Sequence, residues 1–166
     1  MNKEEIMEQF VVSGVVLNEK EAKVTVRGVS DKPGIAGFIF TKLAEANINV
    51  DMIVQSSEKQ GKNDISFTIQ ETDLEEVRRI IEEVKQQLGI KEVIYDSDMA
   101  KVSIVGAGMQ SHPGVAARMF TCLGREGINI DMISTSEIKI SCVVKKGEGR
   151  QAVRAIHREF ELDKEK

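Results

Sequence analysis

Tryptophan is absent from the 166 residues, tyrosine occurs once, and there are only two cysteines, two histidines and two prolines. Each shortage excludes something. RNA-binding modules present stacked aromatics and basic side chains on their central strands. Here Tyr95 stands alone and Phe67 is the only aromatic residue of its strand segment, so RNA recognition is not expected. Cys122 and Cys142 lie in segments that read as a helix and a strand and form no C-x-x-C pair, so buried reduced thiols are expected rather than a disulfide. His112 and His157 have no serine or cysteine nucleophile motif, no H-x-x-x-H spacing and no carboxylate cluster beside them. Neither catalysis nor metal binding is therefore expected. Gly106-Ala107-Gly108 lacks the lysine and the spacing of a phosphate-binding loop. The net charge of −4 is spread among interspersed acids and bases, which leaves no electrostatic footprint for nucleic acid or an anionic membrane. No stretch approaches the ~20 apolar residues that span a bilayer. The start, Met1 to Ile6, shows no apolar run of a signal peptide. A cytoplasmic protein is expected, with no cofactor of its own.

What the chain does contain is a repeat. Ala22-Lys23-Val24-Thr25-Val26 matches Ala100-Lys101-Val102-Ser103-Ile104. Pro33-Gly34-Ile35-Ala36 matches Pro113-Gly114-Val115-Ala116, and Asn49-Val50-Asp51-Met52-Ile53 matches Asn129-Ile130-Asp131-Met132-Ile133. From Pro33 to Ile53 the offset is a constant 80 residues. The repeat implies two units of roughly 70–80 residues, a size at which one core becomes marginal. The apolar fraction of 41% is enough for folded cores.

Periodicity orders each unit. Residues 22–28 alternate as a strand, and a helix follows to about Asn47, with Pro33 in its first turn and Ile35, Ile39, Leu43 and Ala46 on one face. Strands follow at 49–56 and at Ile65-Phe67-Ile69, separated by the polar loop 59–64. A second helix is expected to be capped by Asp73 and stopped by Gly89, with Leu74, Val77, Ile81, Val84 and Leu88 as its apolar stripe. A short strand over 91–95 closes the unit. The second copy reads as strand 100–106, helix 113–126, strands 129–136 and 138–145, and helix 148–160.

The order is β-α-β-β-α-β, an α+β ferredoxin-like arrangement of antiparallel sheets with helices on one face. The second copy lacks its last strand, because only Glu161 to Lys166 remain after Phe160. An unassigned apolar run, Phe10 to Leu17, precedes the first copy. An open sheet edge beside an orphan strand is a liability. The expectation is therefore that the first module, residues 20–96, is inserted within the second, residues 10–18 plus 97–162. Residues 1–8 and 163–166 are expected to be flexible.

The special backbone positions suggest binding. Asp31-Lys32-Pro33-Gly34 and Ser111-His112-Pro113-Gly114 each stand where a strand ends and a helix starts. Glycine admits close approach of a ligand, and the free N–H groups of a first helical turn attract a carboxylate. The plain alternative is that Pro-Gly only makes the turn. Asn49 and Asp51, with Asn129 and Asp131, cap a helix or tolerate a left-handed turn in one reading and bind an ammonium group in the other. Gln55, at the position of Thr135 in the repeat, is either solvated or faces another module.

These residues resemble the regulatory region of aspartate kinase (aspartokinase), a tandem pair of ACT domains, over about Phe10 to Leu162. The most specific stretches are Asp31 to Ala36, Ala44 to Gln55, Asn63 to Thr68, Ser111 to Phe120 and Gly127 to Ser141. The segment Val12-Ser13-Gly14-Val15 followed by Glu21 to Val26 also resembles the family's entry into these domains.

The resemblance implies a function. Aspartate kinase transfers a phosphoryl group from ATP to the aspartate side chain, opening the route to lysine, threonine and methionine. Its ACT pair binds end-product amino acids and inhibits the catalytic part. ATP and Mg²⁺ are expected only at that catalytic domain, which this sequence does not contain. The chain accordingly looks like a regulatory (beta) subunit or an excised regulatory domain. Its implied partners are threonine, lysine or both as effector, a second copy in an ACT homodimer, and the kinase's catalytic subunit or domain. One implied effector pocket uses Asp31, Gly34, Ala36 and Gln55 with Asn129 and Ile130. The helix start takes the effector carboxylate, backbone carbonyls near Asn129 and Ile130 take its ammonium, and Asp31 and Gln55 read a side-chain hydroxyl or amine. A second pocket uses His112, Gly114, Ala116 and Ser136 with Asn49, Val50 and Asp51. Gln110 departs from the family, whose members often carry Arg there. The alternative function is a stand-alone amino-acid sensor or dimerisation module for another partner.

Overall fold

The structure is a computed structural model that describes residues 12–57, 60–108 and 112–162. The expectations for residues 1–8 and 163–166, and those for Phe10, Gln110 and Ser111, fall outside these residues. Two compact units result. One is Lys20–Asp98; the other joins the leading segment through Glu19 to everything from Met99 onward.

In the unit Lys20–Asp98, the elements are the later part of β1 (Val12–Ser30), α1 (Ile35–Glu45), β2 (Val50–Ser57), β3 (Lys62–Gln70), α2 (Leu74–Leu88) and the start of β4 (Glu92–Gly106). Its strands lie in the order β2-β3-β1-β4. β3 is antiparallel to both β1 and β2, with Ala22 opposite Ile69, Val24 opposite Phe67 and Val26 opposite Ile65. Alternation puts these residues on one face. There they form a closed core with Ile39 and Leu43 of α1 and Val77, Ile81 and Val84 of α2. Phe40 meets Phe67 edge-on, with ring centroids 5.5 Å apart.

α2 is strongly amphipathic and ends at Gly89, whose φ of 63° makes the left-handed stop the sequence leads one to expect. Its start differs from expectation. Glu71–Asp73 form a 3₁₀ turn that leads into the helix, and Asp73 has helical φ/ψ and makes no side-chain cap. A side-chain cap needs an extended backbone at that residue, which the turn removes.

The other unit contains residues 12–19 of β1, the later part of β4, α3 (Gly114–Arg125), β5 (Met132–Thr135), β6 (Lys139–Lys145) and α4 (Gly149–Glu159), the last entered through a 3₁₀ turn over Lys146–Glu148. Its strand order is β1-β4-β6-β5. Ala100, Val102 and Ile104 of β4 stand opposite Val144, Cys142 and Ile140 of β6. These six pack with Met119, Leu123, Ala152 and Ile156 of the helices. Val12, Val15 and Leu17 of the leading strand lie against the same core. Ser13 Oγ donates to the Val105 carbonyl at 3.1 Å, and Arg150 pairs with Glu19 at 3.1 Å. Cys122 and Cys142 are both free and buried.

One feature was not read from the sequence: residues 12–17 and 22–28 are parts of a single strand of 19 residues, and 92–95 runs on into 100–106 as one of 15. Each long strand contributes to both units. The polar residues between the apolar runs, such as Asn18 to Lys20 and Asp96 to Asp98, look like loop chemistry but lie within the long strands.

Candidate binding pocket

The end of β1 is shaped by a β-bulge. The register with β3 shifts between Val26 and Val29, and Gly28 adopts a φ of +72°. A Cβ at Gly28 would stand 2.9 Å from Lys91 Cβ, so glycine is needed for space as well as for conformation. Asp64 fixes the bulge: its Oδ1 accepts from Gly28 N–H at 3.0 Å, and its Oδ2 lies 3.7 Å from Arg27 Nε. β1 then rejoins β3 at Ser30 opposite Lys62, and Asp31 N–H donates to the Gly61 carbonyl at 2.9 Å.

Beyond Asp31 the chain turns into α1. Gly34, with φ 93°, is the N-cap; Pro33 therefore stands in the turn before the helix, not in its first turn. Ile35 N–H is held by the Lys32 carbonyl, and the first intrahelical bond runs from Phe38 N–H to the Gly34 carbonyl. That leaves the N–H groups of Ala36 and Gly37 outside the helical ladder, at the positive end of the helix dipole.

An open pocket of about 170 Å³ lies against this turn, lined by Asp31, Lys32, Gly34, Ala36, Gln55 and Asn63 among others. A buried water needs only about 10–15 Å³ by the same kind of measure, so a small organic molecule fits. Gln55 reaches the pocket from β2, where it stands opposite Ile65. Asn63 reaches it from β3 and donates through Nδ2 to Asp31 Oδ1 at 3.0 Å. Four residues of the first expected pocket, Asp31, Gly34, Ala36 and Gln55, therefore share one cavity within a single unit. Asn129 and Ile130 belong to the other unit, in the stretch between α3 and β5. There Ile130 packs against its own core, so its side chain is already engaged.

Asn63 is one of the lining residues outside the expected set, because it falls in the expected polar loop 59–64. β3 starts at Lys62, and the buried stripe Asn63-Ile65-Phe67-Ile69 includes it. Extending the alternation one step back would have found it.

The residues of the second expected pocket are divided between the units. His112 Nδ1 lies 2.9 Å from the Gly108 carbonyl, and its Nε2 is buried without a hydrogen-bond partner among the described residues. Gly114 opens α3 behind Pro113, which has ordinary helical angles, so no left-handed residue stands at this helix start as Gly34 does in α1. Ala116 packs on the core of its unit. Ser136 N–H and Oγ both donate to the Lys139 carbonyl, at 2.8 and 3.4 Å, so this hydroxyl helps close the turn from β5 to β6. Asn49 is exposed ahead of β2, Val50 packs in the core of its unit opposite Ile69, and Asp51 is exposed on β2. The left-handed turn that Asn49 and Asn129 were candidates for is made two residues earlier, by Asn47 (φ 60°) and Gly127 (φ 71°). Ile48 N–H then reaches the Leu43 carbonyl, and Ile128 N–H the Leu123 carbonyl, each at 3.0 Å.

A family model of the ACT domain matches residues 24–84 and again 102–160. The chain belongs to the ACT-domain family. Its ACT pair is 48% identical to an aspartate kinase of Pseudomonas fluorescens over 98% of this chain, and covers 40% of that relative's length. Among solved structures, the alpha and beta subunits of aspartokinase match with 44% identity and a TM-score of 0.85, over 91% of this chain and 99% of that one. The ligand-free regulatory subunit of aspartate kinase from Thermus thermophilus matches with 39% identity and a TM-score of 0.86, over 90% and 99%. This is the tandem ACT architecture that aspartate kinases carry as their regulatory region. Among the described residues no helix is long and apolar enough to cross a membrane.

Proposed function

We propose that the pocket at the head of α1 binds a free amino acid, and that this binding gives feedback inhibition of aspartate kinase. The observation that carries the reading is the convergence in one cavity of a helix N-terminus with a carboxylate and a carboxamide, Asp31 and Gln55. An α-amino acid has the matching groups. Its carboxylate suits the N–H groups of Ala36 and Gly37. Its side chain, if it carries a donor, suits Asp31 and Gln55. In an assembled pair of chains, the backbone carbonyls of Asn129 and Ile130 are the proposed acceptors for the ammonium group. Threonine, through its hydroxyl, is the favoured effector; lysine, through its amine, or both acting together, come next.

The phosphotransfer from ATP to aspartate is assigned to the remainder of the kinase, since this chain corresponds to 40% of its relative's length. Inhibition then requires that the effector bind one arrangement of the ACT pair more tightly than another. Self-association is part of the proposal. β2 ends its unit's strand order and leaves Ile53 52% and Val54 37% exposed, an apolar edge that pairing with a second copy would cover.

Thermal unfolding of the full chain with threonine, lysine or methionine added singly tests the binding. A concentration-dependent rise in Tm with threonine or lysine is expected. No rise with any of the three would count against the reading.

A further inference from the structure

Two neighbouring carboxylates near the pocket are held in different ways. Asp64 is engaged by Gly28 N–H and by the Arg27 guanidinium, and serves the bulge. Asp31 is held at Oδ1 by the carboxamide of Asn63, a neutral donor. An ionised carboxylate only accepts, so the amide must present its NH₂ end, and an amide does not cancel the charge. Asn63 itself is 4% exposed, at the end of a stripe otherwise made of Ile65, Phe67 and Ile69. A buried carboxamide is costly unless it is hydrogen-bonded. The loop does not need it for closure, because the backbone bond from Asp31 N–H to the Gly61 carbonyl and the Val29–Asn63 and Ser30–Lys62 pairs already close that end.

We infer that Asn63 is a specificity-determining positioning residue: it fixes the Asp31 carboxylate against the pocket so that the site selects an amino acid whose side chain donates a hydrogen bond. The inference rests on the reading of this pocket as an amino-acid site. With Oδ1 tied to Asn63, the remaining acceptor positions of Asp31 are oriented for a ligand hydroxyl or ammonium. Without Asn63, an exposed Asp31 is free to turn to water, and the preference for a donor fades while the helix start still holds the ligand carboxylate.

The test is calorimetric titration of the full chain with threonine and with 2-aminobutyrate, which lacks the hydroxyl. Lysine against norleucine serves as the second pair. In the wild type the donor-bearing ligand of at least one pair binds more tightly. In Asn63→Ala that ratio is expected to fall by about tenfold, the worth of one hydrogen bond to a charged group, with the affinity for the analogue nearly unchanged. Asn63→Leu keeps the size, loses the donor without adding a charge, suits the apolar stripe and decides the matter should the alanine variant not fold; the same collapse of the ratio is expected. If both variants weaken each ligand of a pair by one common factor, Asn63 is only structural and the inference is overturned while the pocket reading stands. If the wild type binds none of the four, the pocket reading fails and the inference fails with it.

Discussion

Gly149, the first residue of α4, faces Leu17 of the leading strand: a Cβ placed on it would stand 3.0 Å from Leu17 Cδ1 and 3.2 Å from Ala100 Cβ. The two are 132 positions apart in sequence, and their contact shows how the leading strand is tied into the second ACT core. Gly149→Val is expected to destabilise that unit by about 1–3 kcal/mol, the usual cost of overpacking. Leu17→Ala opens room at the same place, so the double variant should lose less than the sum of the two single losses. A double-mutant cycle in urea unfolding reads this.

Removing the leading strand altogether is a stronger form of the same test. A chain starting at Glu19 loses Val12, Val15 and Leu17 from the second core. Hydrogen exchange should show lost protection in residues 100–106 and 139–145 and retained protection in residues 62–70. Uniform protection throughout would mean that the second unit does not depend on residues 12–18.

The bulge that aims Asp31 has its own weak point. Gly28→Ala places a Cβ in a left-handed conformation and within 2.9 Å of Lys91 Cβ. A loss of about 1–3 kcal/mol is expected, measured as a lower denaturation midpoint. Gly14, where a Cβ would meet nothing within 4 Å, is the control, and its alanine variant should change stability little.

The thiols set a pH dependence. Burial pushes Cys142 from an ordinary 9.0 up to about 12, and the neighbouring Cys122 adds to the rise. A thiol is neutral when protonated, so the folded state retains this proton at pH values where the unfolded chain releases it. The contribution is therefore complete below about pH 9 and is lost as pH rises toward 12. Native protein at pH 8 should react slowly with a thiol reagent at Cys142, and urea should make it react at the rate of a free cysteine. Fast reaction in the native state would contradict the burial.

How much of this was legible in the sequence depended on the physics of each part. The helices and central strands were readable because Val77, Ile81 and Val84, or Ile65, Phe67 and Ile69, repeat with the period of the element that buries them. The Pro-Gly turns marked both helix starts, yet the conformational difference between them, Gly34 left-handed and its match Gly114 already in the helix, was invisible because both carry the same Pro-Gly pair. The joining of short strands into β1 and β4 depends on pairing partners distant in the chain, which local pattern does not carry. In the pocket, Asp31, Gly34, Ala36 and Gln55 were found through the repeat and the family resemblance, whereas Asn63 was hidden by its polar neighbours Lys62 and Asp64.

The measurement that tests the central claim most directly is isothermal titration of the full chain, and of Gln55→Ala, with threonine and lysine. The account predicts saturable binding of at least one of them to the wild type, weakened about tenfold or more in Gln55→Ala, as expected when a polar side chain that reads the ligand is removed. Binding of equal strength in the two proteins would show that the effector sits elsewhere, and no binding to the wild type would contradict the assignment of this pocket to an amino acid.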